Sequence, residues 1–163
     1  SMRDRSTVFS YEVHDPERFG ICEIDGHNRV ISLEEKPAKP KSNLAVTGLY
    51  FYDSDAPQIA KNIEPSDRGE LEITDVNIEY MKSNNLYSEV LNDSYMWIDA
   101  GTQDSFLMAS NYVKGVEDKT GNKILCPEEI AFKKGFISSD DLSKIAQEYS
   151  SSEYGKYLKK LIA

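Results

Sequence analysis

Cysteine, long apolar runs and positive charge are all scarce in this sequence of 163 residues. Its two cysteines, Cys22 and Cys126, lie far apart and belong to no CxxC or Cys/His cluster. A disulfide framework is therefore not expected, and a reducing cytoplasm is the predicted location. No apolar run approaches the roughly 20 residues that span a bilayer, and the polar, charged N-terminus does not resemble a signal peptide.

The charge balance argues against one class of partner. The chain has 19 Lys and Arg residues against 28 Asp and Glu residues, which gives a formal net charge of −9 at pH 7. Nucleic-acid binding depends on Lys and Arg side chains that neutralise phosphates, and a negative surface opposes it. We expect neither a nucleic-acid nor a membrane partner. A small phosphorylated ligand, in contrast, needs only one or two well-placed cations.

A glycine-rich loop followed by a helix is also missing, because neither G-x-G-x-x-G nor a P-loop occurs in the sequence. A doubly wound nucleotide-binding fold normally carries such a loop at its first strand. The sequence therefore predicts the later part of a larger α/β unit.

The residue patterns that are present predict strands followed by helices. The apolar fraction of 39% and the ten tyrosines suit a folded domain, and the 29% of charged residues suit a soluble one. Runs rich in β-formers predict strands over residues 6–13, 21–24, 29–33, 46–52, 86–91 and 96–99. The run over 46–52 is nearly all apolar or aromatic, which predicts a buried central strand.

Helical spacing and capping residues predict the remaining elements. One helix is expected over residues 56–62 and another around Ile73, Val76 and Tyr80. Thr102 is a candidate N-cap for a helix with the apolar stripe Phe106, Ala109, Val113 and Val116. Pro127 suits the first turn of a further helix, and two amphipathic helices follow it. This order favours an α/β unit with a C-terminal helical lobe.

Several charged residues lie at predicted strand ends or helix starts. Arg68 precedes a helix start, where its guanidinium could hold a phosphate beside helix amides. Glu35 and Lys36 end a strand, and Asp99 follows a short strand and could bind Mg²⁺. Taken alone, each also fits an ordinary role as a solvated arginine, a surface ion pair or a capping carboxylate.

Glycines and histidines carry less information. Gly20 and Gly48, at or within predicted strands, fit either packing, as at a bulge, or close approach of a ligand. His14 and His27 lie in predicted turns with no nucleophile pattern around them, so a Ser/His/Asp triad is not predicted.

In combination these segments are more specific. The series DPERFG, ISLEEKP, AVTGLYFYD, RGELEITDVN, MWIDAGTQDS and CPEEIA resembles the glucose-1-phosphate thymidylyltransferase family over nearly all of residues 7–162. Uridylyl- and cytidylyltransferases share the EKP and D-x-G parts more loosely. The resemblance implies the C-terminal half of such an enzyme, with a partial Rossmann-like mixed sheet that lacks the N-terminal nucleotide-binding half. It also implies that residues 1–120 bind sugar phosphate and metal, and that residues 121–163 form a helical lobe for dimerisation or regulation.

The same resemblance implies a reaction in which dTTP and glucose 1-phosphate give dTDP-glucose and pyrophosphate, with Mg²⁺ as cofactor. The implied glucose contacts are Gly20, Glu35 and Val46, the implied phosphate ligands are Lys36 and Arg68, the implied metal ligand is Asp99, and Trp97 would shape the pocket. An implied regulatory nucleotide site comprises Ile124, Leu125, Glu129, Ile130 and Lys133.

Some positions depart from the family pattern. Phe19 replaces a tyrosine, Ala100 and Gln103 replace a threonine and a histidine, and Asn92 and Asp93 replace Gly-Arg beside the regulatory site. The family's nucleotide loop, base-reading residues and second metal aspartate have no counterpart in the sequence. We therefore expect no turnover from this chain alone, with dTTP a partner only when the missing half is supplied.

Two further expectations concern partners and other roles. Glucose 1-phosphate is the expected ligand, and self-association into a homo-oligomer is expected because unpaired sheet edges invite a partner. The alternatives are a non-catalytic regulatory or assembly module that uses the helical lobe, and a sugar-phosphate-binding module without transfer activity.

Overall fold

A computed structural model describes residues 5–66 and 69–162 of the chain. The chain divides into two units, Ser1–Trp97 and Ile98–Ala163. The predicted domain boundary after residue 120 lies inside the second unit, because the long helix Gln103–Thr120 belongs to that unit.

The first unit is one mixed five-stranded sheet with two helices. Its strands are β1 (Ser6–Glu12), β2 (Gly20–Ile24), β3 (Val30–Glu35), β4 (Leu44–Phe51) and β5 (Leu86–Leu91), and its helices are α1 (Ala56–Asn62) and α2 (Ile73–Lys82). A short 3-10 turn, Pro16–Arg18, precedes β2. The strand order is β3-β2-β4-β1-β5. The β1–β5 pair is parallel and the other pairs are antiparallel, so the predicted mixed sheet is confirmed.

The hairpin between β2 and β3 forms where the sequence predicts a turn. The Asp25 carboxylate accepts hydrogen bonds from the backbone N–H groups of His27 and Arg29, at 2.9 and 3.0 Å. Asn28 has a φ of 62°, a left-handed conformation that asparagine tolerates well. The turn fixes the register in which Gly20 pairs with Glu35.

Helix α2 covers one face of the sheet. Its residues Val76 and Tyr80 are buried and pack in one cluster with Val8, Cys22 and Leu33 of the strands. Apolar side chains recur on that face because successive residues of a strand point to opposite sides. The core of the first unit therefore lies between α2 and the sheet.

Strand β4 is central, as predicted, but it is only partly buried. Leu49 is 48% exposed and Phe51 is 59% exposed. Val8 of β1 pairs with Tyr50 of β4, and Ser10 pairs with Val46. Two steps along β1 therefore correspond to four steps along β4, which makes the ladder irregular here. Gly48 lies in this irregularity, as a glycine at a bulge does, and its alternative role in close approach to a ligand stays a prediction.

The predicted strand over residues 96–99 is wrong, since these residues form no strand. Trp97 instead packs by its side chain against Phe19, with ring centroids 5.2 Å apart, and against Tyr11 at 6.1 Å. These aromatic contacts, beside the buried Val13, Ile21 and Ala45, fix the segment without backbone pairing.

The second unit is helical. It contains α3 (Gln103–Thr120), α4 (Pro127–Lys133), α5 (Ser139–Glu148) and α6 (Glu153–Lys160). Thr102 and Ser105 form a capping box at the start of α3, as the predicted N-cap requires, and Gly121 ends the helix with a φ of 70°. A small core forms from Cys126, Leu142, Ala146, Tyr157 and Leu158.

The predicted apolar stripe of α3 does not enter this core. Phe106 is 64% exposed and Val113 is 37% exposed, and no described residue of α3 is buried. The predicted helix is confirmed, and its apolar stripe lies on a face that is not buried. In the described part of the chain, no helix combines the length and apolar character needed to cross a membrane.

We expect Gly155 to be the least replaceable glycine of the second unit. A Cβ atom there would lie 2.1 Å from the backbone oxygen of Tyr149 and 3.1 Å from that of Ala146, so α6 would have to move away from α5. Gly155→Ala should lower the free energy of unfolding by about 3 kcal/mol, measured by urea denaturation.

Gly115→Ala is the matched control, because it makes the same substitution within a helix of the same unit. A Cβ at Gly115 would meet no atom within 4 Å, so this variant should gain about 0.5–1 kcal/mol through helix propensity. Equal effects of the two variants would contradict the packing described for α5 and α6.

Candidate functional site

The end of β3, the start of β2 and the start of α2 meet in the first unit. Gly20 pairs with Glu35 across the β2–β3 ladder. Ile21 pairs with Ala45, so Val46 continues along β4 toward the position opposite Gly20. Three predicted glucose-contacting residues, Gly20, Glu35 and Val46, are thus brought together by strand register.

The Glu35 carboxylate has different surroundings at its two oxygens. The Thr74 hydroxyl donates a hydrogen bond of 2.6 Å to Oε2. The Lys36 Nζ lies 3.9 Å from Oε1. A Cβ atom at Gly20 would lie 3.1 Å from Glu35 Oε2 and 3.3 Å from Thr74 Oγ1. A side chain at position 20 would therefore press on the carboxylate and on the hydroxyl that holds it.

Lys36 has an unusual backbone conformation. Its φ is 45°, in the left-handed region that a residue with a side chain rarely adopts. Its backbone N–H donates a hydrogen bond of 2.9 Å to the carbonyl oxygen of Phe19. About half of its side chain is exposed, so the ammonium group is accessible to a ligand. Strained residues of this kind cluster at functional sites, which supports a ligand-binding role.

Trp97 lies beside the same region through Phe19. The two rings meet edge to face, and Phe19 directly precedes Gly20 in the chain. Phenylalanine at this position provides the apolar contact but no hydroxyl group. The predicted pocket-shaping role of Trp97 is compatible with this position.

Three parallel tyrosine rings attach α2 to the sheet. Tyr50 stacks on Tyr52 at 5.7 Å, and Tyr52 stacks on Tyr80 at 5.1 Å. The Tyr52 hydroxyl donates to Asn77 Oδ1 and the Tyr80 hydroxyl donates to Asp53 Oδ1, each at 2.7 Å. Burial, together with the Glu35 charge, raises the pKa of Tyr50. The stack therefore links the core of the unit to the candidate site.

Thr74 belongs to the candidate site, although the sequence does not single it out. It lies within the segment RGELEITDVN, but a threonine on the first turn of a helix is usually a structural residue. The signal was its position at the N-terminus of α2, where side chains can reach a neighbouring strand end. Only the packing of α2 against the end of β3 shows that Glu35 is the group it reaches.

Two residues that were predicted to bind phosphate or metal are not placed in the candidate site by the structure. Arg68 lies outside the described residues. Asp99 belongs to the second unit, where a Cβ at Gly101 would lie 3.2 Å from its Oδ2. Within residues 5–66 and 69–162, no group of three or more His, Cys, Asp or Glu side chains could hold a metal ion.

The predicted regulatory residues lie together on α4 and the segment before it. Lys133 forms an ion pair of 2.5 Å with Glu129, which lowers the pKa of the Glu129 carboxyl and raises the pKa of the Lys133 amine. Ile124, Leu125 and Ile130 are exposed, and Leu125 has a φ of 52°. The geometry is open to a ligand, and the regulatory role stays a prediction.

A large cavity lies elsewhere in the first unit. It has a volume of about 630 Å³ and is lined by residues of α1, α2 and the segment after α1, among them Ile59, Pro65, Ile78 and Lys82. Among the predicted site residues that the structure describes, none lines it. The hydrogen-bonding geometry around Glu35, rather than cavity volume, therefore marks the candidate site.

Known proteins similar to the chain include members of one enzyme family. A family model described as nucleotidyl transferase matches residues 2–115. A glucose-1-phosphate thymidylyltransferase of Xanthomonas campestris pv. campestris (strain B100) is 48% identical over 153 residues, which are 94% of this chain and 52% of that protein. Proteins of the same name from Neisseria meningitidis and Mycobacterium tuberculosis are each 43% identical, over 96% and 95% of this chain and 54% of each relative. The chain thus spans about half the length of the curated relatives it matches.

Solved structures agree with these matches. A Bacillus anthracis protein crystallised in complex with a sucrose is 42% identical and has a TM-score of 0.59, over 68% of this chain and 44% of that one. An apo UDP-glucose pyrophosphorylase has a TM-score of 0.63 at 23% identity, over 69% of this chain and 44% of that one, and supports the fold alone.

The tyrosine stack predicts that the first unit loses stability at high pH. Burial and the hydrogen bond to Asp53 raise the pKa of Tyr80 to about 12, compared with roughly 10 in an unfolded chain. Folding thus favours the neutral phenol. The contribution of the neutral Tyr80 phenol to the free energy of unfolding is complete below about pH 10. It is lost as the pH rises from there through about 12.

Tyr80→Phe removes this ionisation, so its free energy of unfolding should fall less than that of the unmodified chain between about pH 9 and pH 11. Urea denaturation across this range measures the two slopes, and Tyr112→Phe, at an exposed tyrosine of α3, is the control. Parallel slopes for Tyr80→Phe and the unmodified chain would contradict the prediction.

Proposed function

Because the chain belongs to the nucleotidyl transferase family, we propose that it supplies the sugar-phosphate-binding part of a glucose-1-phosphate thymidylyltransferase. The observation that carries the proposal is the meeting of Gly20, Glu35 and Lys36 at one end of the sheet. Curated relatives at 43–48% identity have this activity by name.

Each residue of the site has a role that its chemistry allows. The Glu35 carboxylate accepts hydrogen bonds from sugar hydroxyls, and the Lys36 ammonium group binds the sugar's phosphate. Gly20 lets the sugar approach the backbone closely, since a Cβ there would meet Glu35 and Thr74. Val46 and Trp97 offer apolar surface to the ring. Arg68 is the proposed second phosphate ligand.

Magnesium is the proposed cofactor, with Asp99 as its protein ligand in this chain. Magnesium sites commonly combine one or two carboxylates with substrate phosphate oxygens, and Asp99 would supply one of these carboxylates. When bound, Mg²⁺ would neutralise charge on the reacting phosphates. The residues of the chain itself bind the sugar phosphate and orient it.

The chain alone is proposed to be incomplete. In the proposed reaction an oxygen of the sugar phosphate attacks the α-phosphorus of dTTP in line, and pyrophosphate leaves. Phosphoryl transfer of this kind depends mostly on positioning both substrates. The relatives are about twice as long as the matched region. We propose that this chain corresponds to their C-terminal half, and that the part it does not match binds dTTP.

A second candidate function is an assembly or regulatory module. The observation that favours it is the exposure of large apolar side chains on α3, where Phe106, Leu107 and Met108 are each more than half exposed. Exposed apolar side chains that form a patch commonly mark an interaction site. A homo-oligomer and a cytoplasmic location are part of either proposal. The free state of both cysteines supports the location.

Binding of glucose 1-phosphate without nucleotide tests the proposed site. The unmodified chain should bind it, and Gly20→Ala should weaken binding at least about tenfold, which corresponds to about 1.4 kcal/mol. The reason is that the added Cβ would displace the Glu35 carboxylate from its position. Isothermal titration calorimetry measures the affinity, and circular dichroism confirms folding.

Gly26→Ala is the control for this experiment, because a Cβ at Gly26 would meet no atom within 4 Å. It should bind glucose 1-phosphate as the unmodified chain does. If the unmodified chain does not bind, or if both alanine variants bind equally well, the proposed site is wrong.

A further inference from the structure

We propose that Thr74 is a positioning residue for Glu35: its hydroxyl holds one carboxylate oxygen so that the other is presented to the sugar. The inference rests on the proposed function, since it concerns the group that would bind the sugar hydroxyls. The observation behind it is the hydrogen bond from Thr74 Oγ1 to Glu35 Oε2, at 2.6 Å across 39 residues of sequence.

The two carboxylate oxygens of Glu35 have different contacts and therefore different proposed roles. Oε2 accepts from Thr74 and lies against Gly20, where no side chain could be added without contact. Oε1 lies on the Lys36 side, 3.9 Å from the ammonium nitrogen. An ionised carboxylate has about four lone-pair sites, so holding Oε2 leaves Oε1 able to accept hydrogen bonds from a ligand. The free oxygen is therefore the one beside the proposed phosphate ligand.

The position of Thr74 is well defined by its surroundings. Only 6% of the residue is exposed, and its β-branched side chain has few rotamers in a helix. One turn further along α2, the buried Asn77 accepts the hydrogen bond from Tyr52. Tyr80 follows and donates to Asp53. The hydroxyl that fixes Glu35 is thus carried by a helix that is anchored at two later positions to the residues directly after β4.

Two variants at position 74 separate the hydroxyl from the shape of the side chain. Thr74→Val keeps the shape and loses the donor, whereas Thr74→Ser keeps the donor. NMR titrations with glucose 1-phosphate and with inorganic phosphate give an affinity for each ligand. Thr74→Val should weaken glucose 1-phosphate binding about tenfold and change phosphate binding less than about twofold, because phosphate does not use Glu35. Thr74→Ser should bind both ligands as the unmodified chain does.

A double-mutant cycle tests whether Thr74 acts through Glu35. In a Glu35→Ala background there is no carboxylate to position, so adding Thr74→Val should change glucose 1-phosphate affinity less than about twofold. The positioning role would be overturned if the effects of Thr74→Val and Glu35→Ala on glucose 1-phosphate affinity were additive. It would also be overturned if Thr74→Val weakened the binding of both ligands equally, or weakened neither. An unmodified chain that binds neither ligand would overturn the proposed function, and the positioning role with it.

Discussion

The packing of α2 against the sheet is the constraint on which the candidate site depends. It places Thr74 against Glu35 at the end of β3, and it is fixed by Tyr80 in the core and by hydrogen bonds to Asn77 and Asp53. A carboxylate on a strand end would otherwise be mobile in solvent. Here a helix packed on the sheet and a strand ladder determine where its two oxygens lie, so the geometry of the site depends on the packing of the core.

Local elements were predictable because local chemistry determines them. The β2–β3 hairpin follows from Asp25 and Asn28 at its turn, the start of α3 from its Thr102 cap, and helix α1 from its proline-bounded segment. The grouping of Glu35 and Lys36 was also foreseen, since strand ends bind ligands in open sheets. The relative positions of residues that are adjacent in sequence, or paired across a short turn, are determined by the local sequence.

Features set by distant parts of the chain were not predictable in this way. The Thr74–Glu35 hydrogen bond depends on how β2, β3 and α2 assemble. The exposure of Phe106 on α3 depends on what else packs there, because helical periodicity gives a face but not a partner. Trp97 lies in a segment rich in β-formers, yet the segment forms no strand and is held by the contact of the Trp97 ring with Phe19. Tertiary packing overrides local propensity at such positions.

The most direct test of the account is a chimera in which this chain replaces the matching 52% of the Xanthomonas campestris relative. Formation of dTDP-glucose from dTTP, glucose 1-phosphate and Mg²⁺ is measured for the chimera and for the chain alone. The account predicts turnover by the chimera and none by the folded chain. Turnover by the chain alone, or a folded chimera that binds dTTP but makes no dTDP-glucose, would contradict it.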